Sequence, residues 1–426
     1  MATYATAANQ IAALKELYTG DSYMQDLVYR KNPFLALVPK DESPDGFAGK
    51  YIPVPLIYGS NQGRSATFSN AQSNQTPSQL ASFFVYRTSN YSIATITNEL
   101  LEATKNNAGA FVDEAKLQVD GAIRSISNDL AADLFRSGTG SRGRISVLAQ
   151  TGGSPNTVTI TLANASDVVQ FEVGMTLIAT LTDGGVPATD TVVLTNVNRI
   201  TGVLIGTASD SSLDAAWGVG SYLVVQGDIA AAGGGTTASN LKVSGLSAWL
   251  PYGGPSLSDS FWGVNRSADP TRMAGIYFDG SSESIEEALI DSSALVAREG
   301  GSPDMCFTNF ASWAALEKEL GAKVQYVQVK HDTAEVAFKG ITINAPYGPI
   351  TVMADRNCQS QTAYLLEMDT WKFRSLNKAP HILTYGMEGL EGLRVGNADA
   401  LEVRSGFYGN LICNAPGWNA NVRLSA

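Results

Sequence analysis

The stretch Val112–Arg136 reads VDEAKLQVDGAIRSISNDLAADLFR. Its apolar residues Ala115, Val119, Ile123, Ile126, Leu130 and Leu134 recur every three or four positions, one continuous stripe at helical period. Asp113 and Glu114 stand in the first turn and Arg136 in the last, each at the end where the helix dipole favours its charge. Ser137-Gly138 supplies a stop. The predicted helix is about 37 Å long, against a usual length of about 11–12 residues. No other part of the chain is as regular, so the pattern predicts an axis against which a mostly β, loop-rich chain is laid.

Upstream, residues 1–45 carry a helical pattern at Asn9–Leu17 and short apolar clusters such as Asn32-Pro33-Phe34-Leu35. They predict an arm that needs a partner surface, or else an untethered terminus. Residues 46–98 hold two strand-like runs, KYIPVPLIYG and SFFVYRTSNYSIATIT, around a polar segment rich in Asn, Gln and Ser. From Tyr51 to Asn98 there is no Asp or Glu, and only Arg64 and Arg87 are charged. This predicts a protruding hairpin with arms of about 20 residues, roughly 65 Å of reach. A lone hairpin is marginal in water, so one this long implies a neighbour to lie on. The alternative is an ordinary domain with a loop. Glu99–Lys105 predicts a helical turn leading to the long helix.

Residues 146–235 change character. Short Thr/Val/Leu/Ile runs alternate with turn clusters, the spacing of a small β barrel or sandwich. One basic residue, Arg199, stands against seven acids, so this segment carries −6 of the net −11. It ends in Ala230–Gly235, AAAGGG, a linker by composition, and reads as an inserted domain. From 236 to 426 helix and strand alternate, with helices at Ser282–Glu299 and Phe310–Leu320 and strands in SPDMCFTN, the 340–375 region and the C-terminus. The fold class expected is α+β.

Composition narrows the function. The 426 residues suggest about three domains, and 44% apolar content allows real cores. No run reaches the ~18 apolar residues of a membrane span, and MATYATAANQ lacks the pattern of a signal peptide. Cys306, Cys358 and Cys413 are far apart, which argues for a reducing compartment and against disulfides or zinc. The negative charge disfavours a protein whose main task is gripping nucleic acid. Gly138-Thr-Gly140-Ser-Arg-Gly143 has the letters GxGxxG. A dinucleotide loop must follow a strand and open a helix, and here the order is reversed, so it reads as a flexible connector. His331 and His381 are isolated, and Glu286 and Glu287 suit a helix start better than acid–base work. No catalytic, cofactor or metal constellation is expected.

The order of parts resembles a tailed-bacteriophage major capsid protein of the Hong Kong 97-type fold: arm, extended loop, long spine helix, mixed α/β region. Asp304–Leu316 is similar to the family's strand, turn and Trp-x-x-Leu helix. Gly348–Asp355 and Tyr364–Trp371 look like its later axial-domain strands, and Leu401–Arg404, Phe407–Leu411 and Ala415–Trp418 like its closing peripheral-domain strands. The resemblance covers roughly 20–145 and 236–426. It implies an N-terminal arm (1–45), extended β-hairpin loop (46–98), spine helix of a peripheral domain (99–145), and axial domain with closing peripheral strands (236–426). The β-rich acidic domain at 146–235 lies outside the shared core.

The function implied is a structural subunit of an icosahedral shell around packaged double-stranded DNA, located in the virion and assembled in the host cytoplasm. Its partners would be itself, as pentamers and hexamers, a separate scaffold, a portal, a decoration protein, and DNA held non-specifically on the inner face, with no membrane. Only some 40 residues precede the loop, so the resemblance implies a separate scaffold protein, or none, in place of a built-in scaffold segment. No lysine lies between Tyr51 and Thr104, so isopeptide cross-linking from the loop is not expected. Candidate inter-subunit contacts are Arg64, Phe68, Phe83, Phe84, Tyr86 and Arg87 on the loop, with packing inside the subunit an equal alternative for the aromatics. On the polar side of the helix they are Lys116, Asp120 and Arg124, with Asp129 beside them. A cargo-holding nanocompartment of the same fold, or a β-rich adhesin or fibre, are the alternatives.

Overall fold

The computed structural model describes residues 32–42, 49–97, 114–153, 155–229, 241–321, 326–331, 334–383, 393–395 and 398–425. The expected elements at Asn9–Leu17, Glu99–Lys105 and Ala230–Gly235 lie outside the described residues. The α+β class expected from the sequence is what the chain adopts.

The long helix is Glu114–Asp133, about 30 Å rather than 37 Å. Ile126, Leu130 and Leu134 of its stripe are buried, so the periodicity chose the inward face correctly. Arg136 lies beyond the helix and pairs instead with Asp167 at 2.9 Å. The helix ends where Gly245 and Leu246 donate backbone bonds to Arg136 and Leu134. A Cβ on Gly245 would sit 2.3 Å from the carbonyl oxygens of Asp133 and Leu134, so only glycine lets this strand of chain close on the helix end.

Two sheets flank the main core. In the first, the long strand Ala400–Cys413 pairs with Thr88–Thr97, Trp371–Ser375, His381–Ile382 and Leu393–Arg394, and Lys40–Asp41 adds in parallel to Trp371–Ser375. The second has seven strands in the order Ile276–Asp279, Ala420–Arg423, Thr362–Leu366, Met305–Thr308, Gly348–Ala354, Ala334–Ala345, Tyr326–His331. The C-terminal strand Ala420–Arg423 therefore lies inside the seven-stranded sheet, between Ile276–Asp279 and Thr362–Leu366, and Trp371–Ser375 belongs to the other one. Helices Ile285–Arg298 and Phe310–Leu320 pack on the seven-stranded sheet through Leu289, Val296 and Leu316. Ser284 and Glu287 form a reciprocal capping box at the first of these helices.

Of the arm expected at 1–45, the described stretch Pro33–Val38 packs into the core of its own subunit. Phe34 is fully buried, its ring 5.3 Å from Phe135 and 5.1 Å from Phe307, as an apolar run this dense favours.

The hairpin is shorter than expected. Tyr51–Gly59 pairs antiparallel with Gln79–Tyr86, about 30 Å of strand, and a short helix, Phe68–Ser73, fills the tip. The chain leaves the hairpin at Arg87: Asn410 Nδ2 donates to Tyr86 O at 2.8 Å and Thr88 Oγ1 to Gly409 O at 2.8 Å. From there Thr88–Thr97 joins Ala400–Gly409.

A closed antiparallel barrel follows the long helix, in the order Tyr222–Val225, Ser141–Gln150, Asn156–Leu162, Val203–Ala208, Val192–Asn198, Thr176–Thr180. Its first strand begins at Ser141, ahead of residue 146. Alternating side chains such as Val158, Ile160, Leu177, Leu204 and Leu223 fill it, with Phe171 and Trp217 closing the core. The GxGxxG letters are buried at its entrance. Gly143 lies against the Phe171 ring, and a Cβ there would come within 3.3 Å of it. The segment is a packed entry to the barrel, not a flexible connector.

Candidate functional site

The hairpin carries apolar residues in both phases of its alternation, and the two faces meet different surroundings. Ile52, Val54, Phe83 and Val85 point inward and are buried, Phe83 with its ring 5.3 Å from Trp249 and 6.1 Å from Phe261. Phe83 is therefore removed from the candidate inter-subunit contacts, because no part of it reaches the surface. The outward phase holds Tyr51, Pro53, Pro55 and Ile57 on one strand and Leu80, Phe84 and Tyr86 on the other. Tyr51 is 42% exposed, Ile57 and Leu80 66%, Phe84 38% and Tyr86 41%. Their rings are ordered against one another: Tyr51 lies 4.8 Å from Phe84 and 5.9 Å from Tyr86, and Tyr86 lies 5.6 Å from Trp262. Phe68 in the tip helix is 84% exposed, and Arg64 and Arg87 are exposed. Together these side chains make an exposed, largely apolar face on one side of the hairpin.

The helix candidates separate. Arg124 is exposed and Asp120 half-buried, and the side chain of Lys116 lies outside what the structure describes. Asp129 is half-buried and engaged within its own subunit. It bonds Arg142 and Asn90, and takes Lys242 Nζ at 2.7 Å. Asp133 one turn on lies 3.8 Å from Arg142 and 3.7 Å from Lys242, and Asp228 lies 3.2 Å from Arg142 and 3.0 Å from Lys242. Three carboxylates and two cations thus join the spine helix to the strand entering the barrel, the chain leaving it, and Thr88–Thr97. Clefts of about 490 Å³ and 410 Å³ adjoin this cluster, the first bordered by Arg124 and Arg356, the second by Arg87.

Electrostatics inside the cluster are uneven. Burial works against the charge of Asp129, but Arg142 and Lys242 outweigh it and hold the carboxyl well below the usual range. Asp133 is pushed up to about 7, first by burial, with Asp129 and Asp228 adding to it. Burial opposes Arg142 and Lys242 as well, yet the surrounding carboxylates raise both. Elsewhere burial lifts Asp355 to about 6 while it accepts the Phe34 amide at 3.2 Å. It also pushes the Cys306 and Cys413 thiols up to about 12, the setting of inert core cysteines. Among the described residues no group of His, Cys, Asp or Glu is arranged to hold a metal ion, and no helix is long and apolar enough to cross a membrane.

Sequence reasoning missed Tyr51, Ile57, Leu80 and Trp262 on the outward face. The signal was present, since in KYIPVPLIYG both alternation phases are apolar, the mark of a strand covered on both sides. It also missed the cluster, for which no local signal exists.

Comparison with known proteins gives the following. The family model described as SU10 major capsid protein matches residues 92–385. Among solved structures, the cyanophage A-1(L) capsid asymmetric unit is similar with a TM-score of 0.51 at 12% identity, covering 96% of each chain; this likeness bears on the fold. The encapsulin SrpI of Synechococcus elongatus PCC 7942 aligns with a TM-score of 0.46 at 8% identity, over 99% of this chain and 96% of its own. Mycobacterium phage Bobi gives 0.41 at 8% over all of both chains. No curated protein matches the chain.

Proposed function

The chain belongs to the SU10 major capsid protein family and is a structural subunit of a virus shell, and from that premise we propose how it builds one. Subunits contact one another through the outward face of the hairpin, which lies across a neighbouring copy, with Tyr51, Phe84 and Tyr86 as the buried anchors and Arg64, Phe68 and Arg87 at the rim. Arg124 of the spine helix borders the adjoining cleft and belongs to the receiving surface, with Asp120 and Lys116 on the same helix. Many modest contacts made at once hold such a shell. The particle encloses double-stranded DNA, is assembled in the host cytoplasm into pentamers and hexamers, and draws on a separate scaffold, a portal and a decoration protein. We assign it no enzymatic activity.

The barrel acts as an inserted unit that projects from the outer surface. Support comes from its charge: its acids would repel packaged DNA on the inside.

The observation that carries the reading is the exposed aromatic face. It is apolar, ordered by ring contacts that include Trp262 beside Tyr86, and still about two-fifths exposed at Tyr51, Phe84 and Tyr86. The triple variant Tyr51→Ser, Phe84→Ser, Tyr86→Ser should remain a folded, soluble subunit and make no shells in negative-stain images. Normal shells from that variant would sink the assignment.

A further inference from the structure

The geometry points to a mode of contact: the hairpin meets a second copy of this chain through its aromatic face alone, and Pro53 and Pro55 close its free strand edge to any added strand. The identity of the partner rests on the shell reading above; how the two meet goes beyond it.

In an antiparallel pair, opposed residues alternate between exchanging both backbone bonds and turning those groups away from each other. Pro53 stands opposite Phe84. The Phe84 amide donates to Trp262 O at 3.0 Å, on the side away from Pro53. The pair is therefore of the non-bonded kind, the kind a residue without an N–H can join at no loss. Pro55 is two residues on, opposite Ser82, and shares that phase. The backbone groups of Tyr51, Pro53 and Pro55 thus point to the outer edge of the hairpin. Among the described residues no strand pairs with that edge.

Position is what gives the prolines meaning. At Ile52 or Val54 a proline would break the ladder inside the hairpin. At 53 and 55 it leaves the inner ladder whole and removes two consecutive donors from the outer edge, a device that blocks edge-to-edge pairing. Strand addition there would leave the incoming carbonyls without partners. Subunits concentrated at a growing shell would otherwise meet free edges before they met the correct face. The aromatic side chains, by contrast, stay open to a partner, so contact energy is available from side-chain burial and not from a backbone ladder.

The test is Pro53→Val with Pro55→Val in the full chain, which restores both amides and keeps the face apolar. The expected result is open, unclosed oligomers at concentrations where the unaltered subunit stays monomeric by light scattering, with the yield of closed shells reduced severalfold. In those oligomers hydrogen exchange at the amides of residues 53 and 55 should be slowed. Shells formed at unaltered yield, or shells in which those two amides are protected, would overturn the proposal, the second because it would mean that the partner adds a strand. If circular dichroism shows the double variant unfolded, Pro53→Val alone takes the same measurements. The serine triple variant keeps the two readings apart: shells from it would refute the aromatic contact while leaving the edge result standing.

Discussion

Asp129 and Asp133 sit one helical turn apart in the same cluster and should respond to the same substitution in opposite ways. Asp129 is ionised and bonded to Arg142, Lys242 and Asn90. Asp129→Asn leaves those cations short of a counter-charge in a buried site, a loss of roughly 3–5 kcal/mol by analogy with broken buried ion pairs. Asp133 is the surplus carboxylate, since three acids face two cations and its Oδ2 has no hydrogen-bond partner. Its folded pKa of about 7 lies above an unfolded value of about 3.9. The folded state therefore holds a proton that the unfolded chain has lost, and stability falls as pH rises from about 4 to about 7. The shift caps that loss at on the order of 4 kcal/mol. Asp355, also raised by burial, adds a slope of the same sign up to about pH 6. Asp129 has the opposite sign, its contribution disappearing only as pH drops below the usual carboxylate range. Asp133→Asn should then cost under about 1 kcal/mol at pH 8 and flatten the profile between pH 4 and 7, leaving the shares of Asp355 and of Asp304, which burial also raises. Urea unfolding of the unassembled subunit, repeated across pH 4 to 8, measures both. Equal destabilisation by the two substitutions, or an unchanged slope in Asp133→Asn, would refute the reasoning.

Phe83→Ala should cost about 3–5 kcal/mol of subunit stability, read by thermal melting, whereas Phe84→Ala should leave the melt nearly unchanged and reduce shell yield. Gly245→Ala, whose Cβ would collide with two carbonyls of the spine helix end, should destabilise by about 1–3 kcal/mol; an unchanged melting temperature would contradict the close approach. Ser284→Ala should lose about 1 kcal/mol from the missing cap, checked the same way. Proteases or antibodies added to whole particles should reach residues 150–225 if the barrel projects outward, and protection there would place it on the inside.

Much of the fold was legible where one element carried its own pattern. The stripe through Ile126, Leu130 and Leu134 and the bounds of Phe310–Leu320 needed only local period. Reading failed where the deciding partner was distant in sequence. Thr88–Thr97 reads as a continuation of the hairpin arm because both halves are β-like, and only its pairing with Ala400–Gly409, more than 300 residues on, separates them. Asp129 fell on the polar side of a helical wheel, and its partner Lys242 is 113 residues away, so no window on the helix could place it. The aromatic face is the intermediate case. Composition singled out Phe83, Phe84 and Tyr86 together and left open whether they pack inside the subunit; the alternation separates them, Phe83 inward and fully buried, Phe84 and Tyr86 outward, and Tyr51 required attention to both phases of one strand.

The chain enters and leaves the barrel at one place. Lys242 N bonds Gly138 O, Gly245 N bonds Arg136 O, and Arg142 pairs with Asp228 across the gap. The two ends of the insert therefore stand side by side, so its strands and loops can lengthen or shorten without parting the spine helix from the chain that closes on its end. Arg136 with Asp167, and Arg356 Nη2 donating to Val169 O at 3.2 Å, hold the barrel's flank to the same body. Change that spares these few contacts leaves the packing around the helix as it is.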